Sequence, residues 1–257
     1  MSQFSAVDAA PNIPALEAYL DRTARGLGAM KRYIVGAHLA AGSGVVLDIG
    51  CGVGHDLVLL AESGITAIGV EPSGAFAGVA RHRALEAGHK VAVVQADGER
   101  LPLRNGVTDG CRIERVLQHV VDPGQLLREA RRCVRRGGLL TVFEPDWSTM
   151  RVQSDRFDTD ASWLANVRQP EIGANLADLV ERTDADVLDV VEEHSVWRSL
   201  ARAEVGINFA TALARRVGQG SMSDADATAW FAEQRGRDRD GTFRATITKR
   251  LVVARVR

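Results

Sequence analysis

A mainly parallel α/β sheet is the fold this 257-residue sequence predicts. Three observations carry that expectation. Short β-branched runs alternate with helical patterns through the first half, the signature of strands joined by helical crossovers. A set of alternating glycines sits between the first such strand and the helix after it. The length suits one large domain, or one domain with a substantial lid, because a single core stops growing near ~250–300 residues.

Ala15 to Leu39 reads as one or two helices able to fold over the sheet's carboxyl edge. Val45 to Ile49 is the first strand. The helix after the glycine turn carries Leu57, Leu59, Leu60 and Ala61 and stops at Gly64. Ile65 to Val70 is the second strand, and Ser73 caps a helix ending near Gly88. Val91 to Val94 is the third strand. A weaker fourth surrounds Cys111 to Ile113, where Arg112 suggests a face that is not fully buried. Asp122-Pro123 is a helix start, with Asp as the cap and Pro at the first helical position. Leu126, Leu127, Ala130, Cys133 and Val134 recur at helical spacing, Gly137-Gly138 ends that helix, and Leu139 to Phe143 is the fifth strand.

After Pro145 the rhythm changes. Ser148 to Pro170 is polar with scattered aromatics and reads as loop or lid. A helix over 176–182 leads to a strand over 187–191, followed by helical stretches at 199–216 and 224–234. The run 242–254 closes as a strand. The expected organisation is a helical cap over 1–40, a ligand-binding core over 41–147, a substrate lid over 148–185, and completion of the sheet with the C-terminal helices over 186–257.

Composition narrows the function. Hydrophobic residues make up 46% and charged residues 25%, as in ordinary soluble domains. Thirty-two Lys plus Arg against 33 Asp plus Glu leave a net charge of −1, which argues against general nucleic-acid binding. The three cysteines, Cys51, Cys111 and Cys133, show no C-x-x-C spacing and cannot all pair, so a reduced intracellular chain without a zinc site is expected. The first eight residues lack the basic-then-apolar order of a secretory signal, and the apolar runs are too short to span a bilayer, so a cytoplasmic location is expected.

The segment Val46-Leu47-Asp48-Ile49-Gly50-Cys51-Gly52-Val53-Gly54 is the most informative. Glycines at a strand-to-helix turn let a ligand approach the backbone and the helix N-terminus. A dinucleotide site wants the same, yet two details disfavour an NAD-dependent oxidoreductase. His55 stands where G-x-G-x-x-G has its last glycine, and the Asp48 carboxylate would repel a pyrophosphate. Asp48 suits a ligand with a positive end, such as an ammonium or a sulfonium. Glu71 ends the second strand, where an acid accepts hydrogen bonds from ribose hydroxyls, and Pro72 can lie against a purine. Asp97-Gly98 follows the third strand, where a carboxylate and a backbone N–H suit the adenine edge. Together these describe an adenosine with a cationic amino-acid tail, S-adenosylmethionine.

The chain resembles class I S-adenosylmethionine-dependent methyltransferases, particularly the small-molecule type related to ubiquinone/menaquinone-biosynthesis methyltransferases. The resemblance rests on the motifs at 46–54, Gly-Val-Glu-Pro-Ser at 69–73, Gln-Ala-Asp-Gly-Glu-Arg-Leu-Pro-Leu at 95–103, Arg-Val-Leu-Gln-His-Val-Val-Asp-Pro at 115–123, and Arg-Arg-Gly-Gly-Leu-Leu-Thr-Val-Phe-Glu-Pro-Asp at 135–146. It covers roughly residues 30–147 and is loose beyond. It implies a Rossmann-like seven-stranded sheet of order 3-2-1-4-5-7-6 with the last strand antiparallel. It also implies that Asp48, Gly50, Cys51, Gly52, Glu71, Pro72, Asp97, Gly98 and Arg115 surround the cofactor. Gln118 departs from the pattern, since relatives often carry His there.

Methyl transfer from a sulfonium mainly needs alignment and a dry pocket, with a general base for less reactive acceptors. His119, after the fourth strand, is the leading base, and Asp146, at the end of the fifth, the second candidate. Glu144 shares that edge. Trp147 and Trp163 are candidate walls of the substrate pocket. The expected partner is a small-molecule substrate, with no nucleic acid, no membrane and no metal, and with room for a homodimer. The alternative is a member of the fold that binds the cofactor without methylating.

Overall fold

The computed structural model describes Asp8 and residues 13–257; the N-terminal stretch read for a secretory signal lies, apart from Asp8, outside them. Seven strands form one sheet: β1 (Val45–Ile49), β2 (Thr66–Glu71), β3 (Ala92–Gln95), β4 (Thr108–Glu114), β5 (Val134–Val152), β6 (Ala185–Trp197) and β7 (Ala245–Val256). Their order is β3-β2-β1-β4-β5-β7-β6, and β7 runs antiparallel to both its neighbours, as the resemblance implied. The helices are α1 (Ile13–Gly26), α2 (Gly28–Ala40), α3 (His55–Glu62), α4 (Gly74–Glu86), α5 (Pro123–Cys133), α6 (Leu176–Glu181), α7 (Leu200–Ile207), α8 (Phe209–Gly218) and α9 (Asp224–Arg239). Among the described residues no helix is long and apolar enough to cross a membrane.

The helix starts are set by side chains the sequence advertises. Ser73 accepts from the Phe76 N–H and Asp122 from the Gln125 N–H, with Pro123 at the first turn of α5. Each satisfies a backbone donor that a helix start leaves open. The central strands β1, β4 and the middle part of β5 are buried on both faces, which is why they read as apolar runs, whereas the edge strands β3 and β6 are partly exposed. One face carries Leu47, Ile49, Cys111, Ile113, Leu140, Val142 and Val252 against Leu126, Leu127 and Ala130 of α5 and Leu176 and Val180 of α6. On the other, Leu27, Met30 and Ile34 cover Leu139, Phe143, Leu251 and Val253.

Arg112 corrects the reading of β4. Its side chain is 3% exposed, and the strand is long and fully paired, so the arginine marks a buried charge cluster rather than an open face. The segment expected as loop from Ser148 begins as strand: β5 continues to Val152, paired with β7 across a register shift between Asp146 and Arg151. Met150 and Val152 are buried there by a second core, which also holds Leu164, Phe209, Leu213, Trp230 and Phe243. Its polar residues face outward or cap turns, which hid the strand. α5 ends at Cys133, before Gly137-Gly138, because Val134 already pairs with Thr108. The stretch 199–216 is broken at Asn208, whose left-handed backbone (φ 56°) ends α7 while its side chain caps α8.

Candidate functional site: the carboxyl edge of the sheet

The ends of β1, β2, β3 and β4 lie side by side in register: Ile49 opposite Val70 and Ile113, and Glu71 opposite Gln95. The loop after β1 is left-handed at Gly50, Gly52 and Gly54. At Gly50 a Cβ would also meet the Val116 side chain at 2.4 Å, and at Gly54 the Ala80 backbone at 2.8 Å. These two positions therefore require glycine on both conformational and steric grounds. The loop's amides are organised inward, since Gly50 and Cys51 both donate to the Val70 carbonyl. The Cys51 side chain turns away from the edge and packs at Gly69, within 2.8 Å of where a Cβ would stand. Cys51 can therefore meet a ligand only through its backbone.

Glu71 lies beneath this loop. Its Oε2 accepts from the Gly52 N–H at 3.0 Å and its Oε1 from the Ser73 N–H at 3.0 Å. Burial raises its pKa. An ionised carboxylate offers about four acceptor positions, so each oxygen keeps one, the number a pair of vicinal hydroxyls needs. Pro72 and Asp97 are exposed beside it, and Asp97 Oδ1 accepts from the Glu99 N–H. Gly98 is buried against Ile49 and Leu126, where a side chain would collide.

Below the loop lies a buried charge cluster. Arg112 Nη1 is 2.9 Å from Asp48 Oδ1 and 3.1 Å from Asp56 Oδ2, and its Nη2 is 2.6 Å from Glu114 Oε2. Lys31, from α2, is 2.5 Å from Asp56 and 2.9 Å from Glu114. Lys31 thus points inward, into the cluster. Two cations face three carboxylates. Burial pushes the Asp48 pKa up, while Arg112 pulls it down. Asp48 Oδ2 is buried without a hydrogen-bond partner. A buried acceptor in that condition is costly unless something completes it.

α1 covers the loop from above. Leu20 lies 3.6 Å from where a Cβ of Gly52 would be, Asp21 reaches His55 at 2.7 Å and Arg83 at 2.8 Å, and Tyr19 donates to the Gly206 carbonyl. Arg115 has a left-handed backbone (φ 57°) and reaches Thr23 of α1 at 3.4 Å.

The loop after β4 is held by Glu144, whose Oε1 accepts from the Leu117 N–H at 2.6 Å. Burial pushes the Glu144 carboxyl up to about 8. His119 lies on the same loop, its N–H donating to the Val116 carbonyl. Burial, with Arg115 adding to it, pushes its imidazole down to about 4. Gln118 joins this loop to the second core. Its amide accepts from Trp147 Nε1 at 2.8 Å and donates to the Arg115 carbonyl at 3.1 Å. Asp146 is 2% exposed and fully engaged, by Arg250 at 3.0 Å and by Ser148. Trp147 borders the β4 loop, whereas Trp163 stacks edge-on against Trp230, 6.1 Å away, in the second core.

Residues 47–142 match the model of the methyltransferase domain. Over these residues the chain carries a methyltransferase domain. The chain is 34% identical over 222 residues to an uncharacterised 37.1 kDa protein of transposon TN4556 from Streptomyces fradiae, covering 81% of this chain and 61% of that one. It is 36% identical over 94 residues to a ubiquinone biosynthesis O-methyltransferase of Aliivibrio fischeri, covering 36% of this chain and 40% of the relative. The chain thus spans less than two thirds of the length of these relatives. Among solved structures, geranyl diphosphate methyltransferase in complex with S-adenosylmethionine aligns with a TM-score of 0.57 at 18% identity, over 99% of this chain and 95% of that one. A methyltransferase-like protein of Bacillus halodurans C-125 aligns at 0.60 with 16% identity, over 82% and 91%. The cyclase SpnF aligns at 0.53 with 20% identity, over 82% and 74%. At these identities the structures share the methyltransferase domain's fold.

Proposed function

We propose that the protein moves a methyl group from S-adenosylmethionine to oxygen, nitrogen or carbon of a small, partly apolar or aromatic metabolite. The observation that supports it most is the orphaned Oδ2 of Asp48 in a buried cluster of three carboxylates and two cations, beneath a loop that leaves no room for a side chain at Gly50. That arrangement favours a positive end and disfavours a pyrophosphate.

Glu71 would hold the ribose hydroxyls through its remaining acceptor positions. Asp97 and the Gly98 N–H would meet the adenine, and Asp48 with its cluster the positively charged tail. Bound there, the cofactor supplies an electrophilic methyl group. The chain's part is then to align, dry the site and manage one proton. α1 and Leu20 exclude water above the glycine loop. His119, with its imidazole pushed down to about 4 by burial, is neutral at pH 7 and is the candidate to take the acceptor's proton. Asp146 is the weaker candidate, because Arg250 and Ser148 occupy its oxygens. Trp147 and the second core would wall the substrate.

The test is incubation with methyl-labelled S-adenosylmethionine and fractionated small-molecule extracts. Label transferred to a metabolite supports the reading. Cofactor binding with no transfer to any fraction would favour a member of the fold that binds without methylating; fold alone does not fix chemistry, and the cyclase SpnF shares this one.

A further inference from the structure

A cavity of about 420 Å³ opens between the segment following the 3-10 turn Ser162–Leu164 and the end of α8. Its lining includes Trp163, Asn166, Arg168, Arg215, Arg216 and Ser221. Three arginines converge on it, and among the described residues no carboxylate lies within ion-pair distance of any of them.

The guanidinium groups are partly committed. Arg215 Nη2 donates to the Trp163 and Ala165 carbonyls at 3.0 Å each, Arg216 Nη2 donates to the Ser221 carbonyl at 3.2 Å, and the Arg216 guanidinium sits 5.0 Å over the Trp163 ring. These contacts fix the two groups in place. They leave Arg215 Nη1 and Arg216 Nε buried with no hydrogen-bond partner. Burial and the charge of Arg216 both depress the Arg215 pKa, so the two cations disfavour each other without an anion between them. An arginine stays charged in proteins, so the strain cannot be relieved by losing a proton. A guanidinium with free N–H groups and no acid matches a phosphoryl group, which accepts from several donors at once.

The cavity also adjoins the methyl-transfer region. The Arg168 and Gln169 N–H groups donate to the Gln118 carbonyl at 2.8 and 3.0 Å, one residue before His119. We propose that the cavity lined by Arg168, Arg215 and Arg216 is the anchoring site for a phosphate or diphosphate group of the substrate, whose organic part extends toward His119. The placement of the substrate rests on the methyltransferase reading; the anion site itself does not.

Calorimetry on the full chain with pyrophosphate, and in parallel with inorganic phosphate, tests the proposal. The proposal expects pyrophosphate to bind at submillimolar concentration in moderate salt. Arg168→Gln and Arg216→Gln should each weaken it at least tenfold. Arg168 is exposed, so its variant remains informative if the other misfolds. Arg104→Gln, outside the cavity, should leave binding unchanged. No pyrophosphate binding, equal binding in the cavity variants, or tighter binding of citrate than of pyrophosphate would overturn it. S-adenosylhomocysteine binding, measured on the same samples, reports on the cofactor reading separately and should be the same in all of them.

Discussion

Arg112 and Asp48 are register partners on adjacent parallel strands, and the guanidinium lies 2.9 Å from the carboxylate with both side chains almost wholly buried. The pair sits directly under the glycine loop, so the charge state of the strand tip and the shape of the ligand edge are set together. Lys31, Asp56 and Glu114 extend the pair into a cluster joining α2, α3 and β4.

Removing Arg112 should therefore cost stability. Arg112→Met leaves three buried carboxylates facing Lys31 alone, and breaking a buried pair in this way typically costs ~3–5 kcal/mol. Chemical denaturation should show that loss. Adding Asp48→Leu to Arg112→Met should return part of it, because one unpaired charge is gone. A single variant as stable as the parent would contradict the cluster.

His38 and His119 should each withdraw stability as the solution is acidified below neutrality. His38 is buried, with Nε2 3.1 Å from Thr141 Oγ1, and its pKa is pushed down to about 4 by burial and by Arg112. His119 behaves alike. The unfolded chain, with ordinary imidazoles, binds more protons between pH 6.5 and 4, so the folded state loses ground as pH falls through that window. Each His contributes on the order of 3 kcal/mol across it. The raised pKa of Glu144 has the opposite sign, favouring the folded state as pH falls from about 8 toward 4.5. Denaturation at pH 7.5 and 4.5 should show that the change in stability on acidification is more favourable for His38→Leu than for the parent.

Gly50→Ala should abolish ligand binding more than folding. The position combines a φ of 71° with a Val116 contact of 2.4 Å at the new Cβ, so the loop must move. S-adenosylhomocysteine affinity should drop more than tenfold, that is by more than ~1.4 kcal/mol. Pairing it with Val116→Ala should relieve the steric part and leave the conformational part.

His119 and Asp146 separate by kind of effect. His119→Asn should lower kcat by roughly 10²–10⁴ while S-adenosylhomocysteine binding persists, as loss of a general base does. Asp146→Asn should instead lower thermal stability, because Arg250 and Ser148 lose a charged partner. The reverse pattern would exchange the two roles.

The cofactor half of the molecule was legible because its requirements are local. Left-handed turns demand Gly50 and Gly54, and caps demand Ser73 and Asp122, whatever the rest of the chain does. The sheet order came through the resemblance, since periodicity says where strands are and not which ones are neighbours. Arg112 was misread for that reason: a charge in a strand looks exposed until the register brings Asp48 beside it. Gln118 stood out only as a departure from relatives, with no sign that it would link Trp147 to Arg115. The second core escaped because its parts, Met150, Phe209, Trp230 and Phe243, are spread along the chain, and each stretch looks polar by itself.

The central claim is that this carboxyl edge holds an adenosine with a positive tail. Calorimetric titration of S-adenosylhomocysteine and S-adenosylmethionine into the parent and Glu71→Gln tests it most directly. The account predicts micromolar binding of both ligands to the parent and at least a tenfold loss in the variant, with NADH failing to bind. Tight NADH binding, or adenosyl ligands indifferent to Glu71→Gln, would contradict it.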